Sequence, residues 1–233
     1  RQLRKVYSAD QTLSLWPLSS LWVNFLFRSG GAIIVRENGE YEVRLDDPRT
    51  LNGFRRIFEL QRLLGREKDV LTYNQAKQRF LEGASALFGA TREDMNFQSP
   101  MNWTCVPLPI VPGGSDRQRQ AADLFCVRRQ VNNFDEVKAM IRLLLSSEVQ
   151  ERLGRIRYGI PIRRSAAIRS IDEEDPRDSV FFSEMARIAP DCTLAWPELY
   201  RMVFRCADRM WEEQLDPAEV LPELAAAMRV FIR

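Results

Sequence analysis

Residues 106–161 read VPLPIVPGGSDRQRQAADLFCVRRQVNNFDEVKAMIRLLLSSEVQERLGRIRYGIP, and the order of elements in this stretch decides our interpretation of the fold. A Gly-Gly turn at 113–114 is followed by an apolar run, 122–127, of the length of a buried strand. Apolar spacing then predicts a helix over 134–145, and Ser146 predicts the start of a second helix that stops before Gly159-Ile160-Pro161. The alternation of strand and helix indicates an α/β architecture.

The composition is that of an ordinary globular protein. The chain has 233 residues, enough for one large domain or two small ones, with 45% hydrophobic and 28% charged residues. Its 34 basic and 32 acidic residues are interspersed and leave a formal net charge of +2. No long-range field therefore favours a nucleic acid or a membrane surface, and we expect no nucleic-acid partner.

Several kinds of catalytic and cofactor site are disfavoured by what the sequence lacks. It contains no His, the commonest general base and metal ligand, and no GxSxG or SxxK motif. Neither Gly-Gly pair belongs to a phosphate-binding loop, and the four cysteines form no CxxC pair. We therefore expect no metal and no cofactor, while the disulfide state of Cys105, Cys126, Cys192 and Cys206 stays open.

The first residues, RQLRKVYSADQ, lack the apolar centre of a signal peptide, and no apolar stretch is long enough to span a bilayer. A mature or truncated product would have these properties.

The chain before this stretch mixes short strands with helices. Residues 6–8 and 12–15 are β-like, 17–27 have helical apolar spacing, and Ser29-Gly30-Gly31 ends that helix. A hairpin is predicted over 32–35 and 41–44 around Asn38-Gly39. Asp46-Asp47-Pro48 predicts the start of a helix that runs to Leu64. Thr72 predicts a cap for a helix over 73–82, and a strand is predicted over 84–88 before a polar loop.

The chain after residue 161 is mostly helical. Residues 162–177 have a high charge density and no clear period, which predicts a surface connection or a short irregular helix. Helices are predicted over 181–188, 194–208 and 217–232, the last beginning at Asp216-Pro217. The whole pattern predicts an α/β fold with a helical C-terminal part packed beside it.

Four aromatic residues stand where burial is difficult, at helix starts and loop ends. A flat aromatic ring exposed in a cleft can stack on the apolar face of a sugar, while polar neighbours bind its hydroxyls. Packing in the core is the alternative for any one of the four, whereas Trp22 and Trp211 lie on apolar helix faces and are predicted to be core residues. The four are Trp16, Trp103, Trp196 and Tyr200.

The order of these segments resembles a known family. The segments are WPLSSLWVNFLFRSGGAIIVRENGEYEVRLDDP at 16–48, FLEGASALFGA at 80–90, the stretch 106–161, and LDPAEVLPELAAAMRVFI at 215–232. In this order they resemble the extracellular solute-binding proteins of ABC importers, the group that includes maltose-binding protein. Each motif is weak alone, and the resemblance rests on their colinearity over nearly the whole chain.

The resemblance implies a periplasmic-binding-protein-like fold with two α/β lobes and a solute between them. Residues 1–103 would be the first part of the C-terminal lobe, 104–161 an excursion into the N-terminal lobe, and 162–233 the helical second part of the C-terminal lobe. Family members are considerably longer, so we expect a portion of such a protein, without the first half of the N-terminal lobe and without half of the ligand contacts.

The resemblance also implies a function. The expected role is non-enzymatic capture of a small-molecule solute, with a carbohydrate favoured, and its delivery to the permease subunits of an ABC transporter. The protein would be extracytoplasmic, as a cell-surface lipoprotein or in the periplasm, and monomeric when full length.

Matched residue by residue, the family's ligand contacts fall on three segments. In several sugar-binding members an aromatic residue follows the glycine of the second segment, where this chain has Ala90-Thr91-Arg92, and the Arg92 guanidinium would suit an acidic sugar or another anion. Trp103 would lie beside a crossing segment. The implied ligand-binding residues are Trp16, Ser19, Gly89, Thr91, Arg92, Trp103, Trp196 and Tyr200.

Two other functions remain open from the residues alone. One is a helical or α/β interaction module without a small-molecule ligand, which an exposed apolar groove without a pocket would favour. The other is an enzyme, such as a transferase, that depends on an unrecognised pair of carboxylates with perturbed pKa values.

Overall fold

The structure is a computed structural model that describes residues 13–14, 20–63, 71–96, 101–119 and 127–232. Its strands are short, and helices make up most of the described residues. In chain order the elements are β1 (Leu13–Ser14), α1 (Ser20–Arg28), β2 (Ile34–Glu37), β3 (Glu40–Val43), α2 (Pro48–Leu63), α3 (Tyr73–Leu81), β4 (Leu87–Phe88), β5 (Gln118–Arg119), α4 (Phe134–Leu144), α5 (Ser147–Arg155), α6 (Arg164–Arg169), α7 (Pro176–Glu184), β6 (Ile188–Ala189), α8 (Pro197–Glu212) and α9 (Pro217–Phe231). Short 3₁₀ helices cover Arg92–Asn96, Met185–Arg187 and Cys192–Ala195.

The chain divides into two compact units. Unit 1 consists of Arg1–Gly89, Leu108–Gln120 and Arg187–Arg233, and unit 2 consists of Ala90–Pro107 and Ala121–Ala186. These boundaries differ from those of the predicted segments, because residues 90–103 and 162–186 group with unit 2. The assignment of segments to lobes stays a prediction.

The described strands pair in twos, all within unit 1. β1 and β4 are parallel, β5 and β6 are parallel, and β2 and β3 form an antiparallel hairpin with Arg36 opposite Tyr41. Asn38 and Gly39 have φ values of 53° and 91°, as a two-residue type I′ hairpin turn requires. The predicted hairpin is confirmed with a shift of two residues at its start.

Most of the predicted helix starts are confirmed. Thr72 caps α3 through a reciprocal pair of hydrogen bonds with Gln75. Ser146 caps α5, and Asp216 caps α9 ahead of Pro217. Each cap satisfies backbone N–H groups that have no acceptor inside the first helical turn.

The helix predicted over 181–188 is wrong in its bounds, whereas α6 is the short helix that was one of the two predictions for 162–177. The helix expected over 181–188 begins earlier, at Pro176, where the Asp175 side chain accepts a hydrogen bond from Arg177 N. It ends at Glu184, and α6 precedes it. Charged side chains obscure the apolar period here, although Asp175-Pro176 is the same start signal as Asp216-Pro217. The strand expected over 84–88 shortens to β4. The strand expected over 6–8 and residues 122–126 of the strand expected over 122–127 lie outside the described residues.

The hydrophobic core of unit 1 lies where α1, α2, α8 and α9 meet. Trp22 of α1, predicted to be a core residue, contacts Phe54 of α2 and Phe204 of α8, with ring centroids 5.3 and 5.0 Å apart. Trp211, the other predicted core residue, is half-buried and packs against this core. The largest fully buried apolar side chains of the core are Val23, Leu26, Ile33, Ile34, Leu45, Phe54, Leu199, Met210, Leu221 and Met228.

Both Gly-Gly pairs bring their backbone close to another segment of unit 1. Gly30 and Gly113 take positive φ values of 79° and 76°, which cost glycine little. A Cβ on Gly31 would lie 2.8 Å from Thr50 Cα, and one on Gly114 would lie 2.0 Å from the Arg28 carbonyl oxygen. In each pair the first glycine therefore makes the turn and the second allows the contact.

Thr50 holds the start of α2 against the chain that leaves α1. Its fully buried hydroxyl donates to Ala32 O at 2.9 Å and accepts from Ala32 N at 3.0 Å. A single side chain thus satisfies both backbone polar groups of one residue.

We expect Thr50→Val to lower the free energy of unfolding by about 1–3 kcal/mol, because it leaves the polar groups of Ala32 without their partner. Thr50→Ser is the matched control, since it keeps the hydroxyl. Urea denaturation followed by circular dichroism measures both, and an equal loss in the two variants would contradict this account.

No described helix combines the length and the apolar character needed to cross a membrane.

Candidate functional site

The Trp196 cluster of unit 1 consists of Tyr41, Arg119, Asp191, Trp196 and Tyr200. Arg119 belongs to β5, and Asp191 follows β6, the parallel partner of β5. Trp196 directly precedes α8 and Tyr200 lies in its first turn, where Tyr200 N donates to Trp196 O at 3.0 Å. The cluster therefore forms where two strands end and a helix begins.

A buried ion pair lies at the base of the cluster. Arg119 Nε lies 2.9 Å from Asp191 Oδ2, and the two side chains are 8% and 1% exposed. Asp191 Oδ1 accepts from Thr193 N, which fixes the carboxylate at the start of the 3₁₀ helix Cys192–Ala195. Arg119 N donates to Asn24 Oδ1 at 2.7 Å, which ties β5 to α1.

The ion pair positions the Tyr200 hydroxyl. Arg119 Nη2 donates to Tyr200 Oη at 3.2 Å, and the guanidinium carbon lies 5.6 Å from the centroid of the tyrosine ring. The oxygen of Tyr200 thus receives a charge-assisted hydrogen bond, which makes its own proton a better donor. That proton has no acceptor among the described residues.

Two further aromatic rings extend the cluster. The rings of Trp196 and Tyr41 meet edge to face, with centroids 4.6 Å apart. Tyr41 is exposed, Trp196 and Tyr200 are half-buried, and the Arg36 guanidinium lies 5.4 Å from the Tyr41 ring centroid. The cluster combines exposed aromatic surface, a hydroxyl donor and an ion pair with no net charge. This combination suits a neutral, polar ligand with an apolar face.

The predicted site residues are divided between the two units. Of the eight, the structure brings Trp196 and Tyr200 together in the cluster. Gly89 is half-buried after β4 in unit 1, while Thr91, Arg92 and Trp103 belong to unit 2. Trp16 and Ser19 lie outside the described residues.

Arg92 is a buried structural residue in unit 2. Its Nε and Nη2 donate to the two carboxylate oxygens of Asp178 at 2.7 and 2.8 Å. Its other hydrogen bonds go to the carbonyl oxygens of Gly154, Gly159 and Ser170. Its five N–H groups are thereby used, so the guanidinium expected to bind an anion is here not available to a solute.

Thr91 and Trp103 are also engaged within unit 2. The N–H and hydroxyl of Thr91 both donate to Asp94 Oδ2, at 2.7 and 3.1 Å. The Arg177 guanidinium carbon lies 4.2 Å from the Trp103 ring centroid, and Asp175 holds Arg177 by two hydrogen bonds. One face of the Trp103 ring is therefore covered by a cation.

Three members of the cluster were not predicted from the sequence. Tyr41 could have been suspected, because it follows the Asn-Gly turn on a strand that begins at an exposed hairpin end. Arg119 and Asp191 carry no such signal, since they are far apart in the chain and each is a common residue in a polar loop.

Neither the family models nor the curated proteins include a match to this chain. Solved structures do match. The maltose-maltodextrin binding protein of the thermoacidophilic bacterium Alicyclobacillus acidocaldarius has a TM-score of 0.72 at 14% identity, over 95% of this chain and 63% of that one. A cyclo/maltodextrin-binding protein complexed with maltotetraose has a TM-score of 0.65 at 15% identity, over 97% of this chain and 58% of that one.

These likenesses confirm the predicted fold. Over nearly its whole length the chain has an α/β fold like that of the matching parts of these two-lobed proteins, and its predicted resemblance to maltose-binding-protein-like folds is confirmed at the level of the fold. It spans about three fifths of the length of either neighbour, so it corresponds to a portion of the fold.

The Arg92–Asp178 pair leads to a pH-dependent prediction. Burial raises the pKa of the Asp178 carboxyl, but hydrogen bonds from Arg92 and Asp172 N outweigh burial and hold this pKa below its usual range. A folded-state pKa below the unfolded value, which is near 3.9, stabilises the fold above that pH. We expect this stabilisation to be lost as pH falls from about 5 through the lowered pKa.

Asp178→Asn should lower the free energy of unfolding by about 3–5 kcal/mol at pH 7, since it leaves the buried Arg92 without a counter-charge. The free energy of unfolding of this variant should also decrease less as pH falls than that of the unmodified protein. Urea denaturation between pH 3 and pH 7 measures this dependence. Glu93→Gln, at an exposed position, is the control. If the free energy of unfolding of Asp178→Asn and that of the unmodified protein fell equally steeply with decreasing pH, the role given to the Asp178 carboxylate would be contradicted.

Proposed function

We propose that this chain is part of a non-enzymatic, extracytoplasmic binding protein that captures a carbohydrate and delivers it to an ABC permease. The observation that carries the proposal is the Trp196 cluster, in which the rings of Tyr41 and Trp196 meet edge to face and the Tyr200 hydroxyl accepts a hydrogen bond from Arg119.

The charge of the cluster favours a sugar over an ion. Arg119 and Asp191 neutralise each other at 2.9 Å, so neither supplies a free charge to the ligand. A sugar offers hydroxyl oxygens to the Tyr200 proton and an apolar ring face to the indole or phenol. Arg92, the residue that would have suited an acidic sugar, is fully used within unit 2.

The fold supports the same ligand class. Both structural neighbours are described as binding maltose or maltodextrins, and one contains maltotetraose. Capture would proceed by lobe closure, in which a solute that contacts both lobes stabilises the closed state through its higher affinity for it. Delivery to a permease and location outside the cytoplasm follow from this role.

The first experiment is a thermal-shift screen of the complete product of the reading frame against maltose, maltotetraose, a peptide mixture and polyamines. A ligand that binds only the folded state raises the melting temperature. We expect the sugars to do so. A shift produced only by peptides or polyamines would refute the carbohydrate assignment.

Variants of the cluster test the site itself. Tyr200→Phe removes one hydrogen bond to the sugar and should weaken binding by about 2–10-fold, and Trp196→Ala should weaken it at least as much. Tyr73→Phe, on α3 and outside the cluster, is the matched control. Unchanged dissociation constants for both cluster variants, measured by calorimetry with the sugar that binds, would place the site elsewhere.

The 233-residue chain alone should bind the same sugar weakly or not at all. It spans about 60% of each structural neighbour, so many contacts of a closed two-lobed site would be missing. Calorimetric titration of this chain with an affinity equal to that of the complete product would contradict capture between two lobes.

A further inference from the structure

The chain contains two Asn-Gly dipeptides, and the structure places them in opposite environments. Asn38-Gly39 forms the exposed turn of the β2–β3 hairpin, whereas Asn52-Gly53 lies inside the helix α2. An asparagine before a glycine readily loses its side-chain amide, because glycine has no Cβ to hinder the attack of its backbone nitrogen on the asparagine Cγ. The surroundings of each pair therefore decide whether this reaction occurs.

The backbone nitrogen at the hairpin turn is accessible. Gly39 is exposed, and nothing lies within 4 Å of the position that a Cβ would occupy there. Among the described residues neither Gly39 N nor the Asn38 side chain has a hydrogen-bond partner. Arg36 Nε donates to Gly39 O at 3.3 Å, which leaves the nitrogen free. The tip of a hairpin opens with the loss of few hydrogen bonds, so Gly39 N can reach Asn38 Cγ.

The second pair is protected by the helix that contains it. Gly53 lies within α2, where each N–H donates to the carbonyl oxygen four residues earlier. It is also buried against α1, since a Cβ at Gly53 would lie 2.7 Å from Leu26 Cδ1 and 3.3 Å from Ser29 Cβ. Its nitrogen can attack Asn52 only when this part of α2 unfolds and leaves α1.

We propose that Asn38 is a site of spontaneous deamidation, and that its isoaspartyl product separates the Tyr41 ring from Trp196. Gly39 N, after losing its proton, forms a bond to Asn38 Cγ. The bond from Cγ to the side-chain nitrogen breaks, and that nitrogen takes up a proton and leaves as ammonia. Water then opens the cyclic imide. Cleavage between Gly39 N and Cγ gives aspartate, and cleavage between Gly39 N and the main-chain carbonyl carbon gives isoaspartate.

The two products act differently on the hairpin. Aspartate leaves the main chain unchanged and adds a charge between the exposed Glu37 and Glu40. Isoaspartate passes the main chain through the Cβ of residue 38, which adds one carbon atom to the turn. A type I′ turn matches the twist of its strands only with two ordinary residues, so the register that places Arg36 opposite Tyr41 is lost.

Tyr41 connects this turn to the Trp196 cluster. It is the second residue of β3, and its ring meets that of Trp196 edge to face with centroids 4.6 Å apart. Such a contact depends on both the distance and the angle between the rings, so a displacement of β3 breaks it. The modification itself is independent of the ligand, whereas any effect on sugar binding rests on the proposed function.

Reaction rates in the complete protein test the site. The protein is incubated in mildly alkaline buffer, and the peptides that contain Asn38 and Asn52 are followed by mass spectrometry. We expect Asn38 to deamidate at least about 10-fold faster than Asn52, because a hairpin tip opens more readily than a packed helix. Equal rates in the folded protein would overturn the proposal. In urea the two rates should converge, and a difference that persisted there would assign the effect to flanking sequence and also overturn it.

Hydrogen exchange tests the effect on the hairpin. The isoaspartyl form is separated by chromatography, and its amides over 40–43 should exchange faster than those of the unmodified protein. Asn38→Gly is the matched control, since Gly-Gly also forms a type I′ turn and cannot deamidate. After the same incubation its hairpin should exchange as before.

Freshly purified Asn38→Asp supplies the added charge without the added carbon. If it loosened the hairpin as much as isoaspartate does, or if the isoaspartyl form exchanged like the unmodified protein, the added carbon would not act as proposed.

Calorimetry separates this inference from the proposed function. Faster exchange of the hairpin together with weaker sugar binding by the isoaspartyl form would support both. Faster exchange with an unchanged dissociation constant would support the modification and its effect on the hairpin, and would place the sugar site away from the Trp196 cluster.

Discussion

The buried contact between Arg119 and Asp191 joins the parts of unit 1 that the candidate site requires. Through its backbone and side chain, Arg119 contacts α1 at Asn24, the residue after β6 at Asp191, and α8 at Tyr200. Removing two charges from water is costly, and the attraction between Arg119 Nε and Asp191 Oδ2, which meet at 2.9 Å without forming a hydrogen bond, offsets that cost only when β5 and β6 bring the two groups together. The register of β5 against β6 must therefore be correct before Tyr200 can be oriented, so the fold and the site depend on the same contact.

The two units are stabilised by different physical means. Unit 1 has a conventional core in which aromatic and aliphatic side chains of α1, α2, α8 and α9 interdigitate. Unit 2 is centred on a buried arginine that joins Asp178 to the backbone at Gly154, Gly159 and Ser170. Such a network specifies geometry strongly but contributes little net stability, because the desolvation cost is large.

Much of the local structure could be predicted because short-range chemistry controls it. Asn38-Gly39 specified a tight hairpin, and Thr72, Ser146 and Asp216 specified helix starts, since each acts on backbone groups within three residues. The fold class followed from the order of such elements. The helix α7 was misplaced because charged side chains hide its apolar period, and the strands proved shorter than expected because strand ends depend on the partner strand.

The candidate site was only partly predictable, and Arg92 shows why. In sequence it is a cation in a loop after a strand, a natural position for an anion contact, whereas in the structure Asp178, 86 residues later, takes it into the interior. Trp196 and Tyr200 could be proposed from the sequence because their position at a helix start is a local property. The sequence by itself determined the helix boundaries set by caps, the hairpin and the α/β class, because those depend on neighbouring residues. Only the tertiary structure decided which carboxylate pairs with each buried arginine, Asp178 with Arg92 and Asp191 with Arg119, because these partners are distant in the chain and close in space.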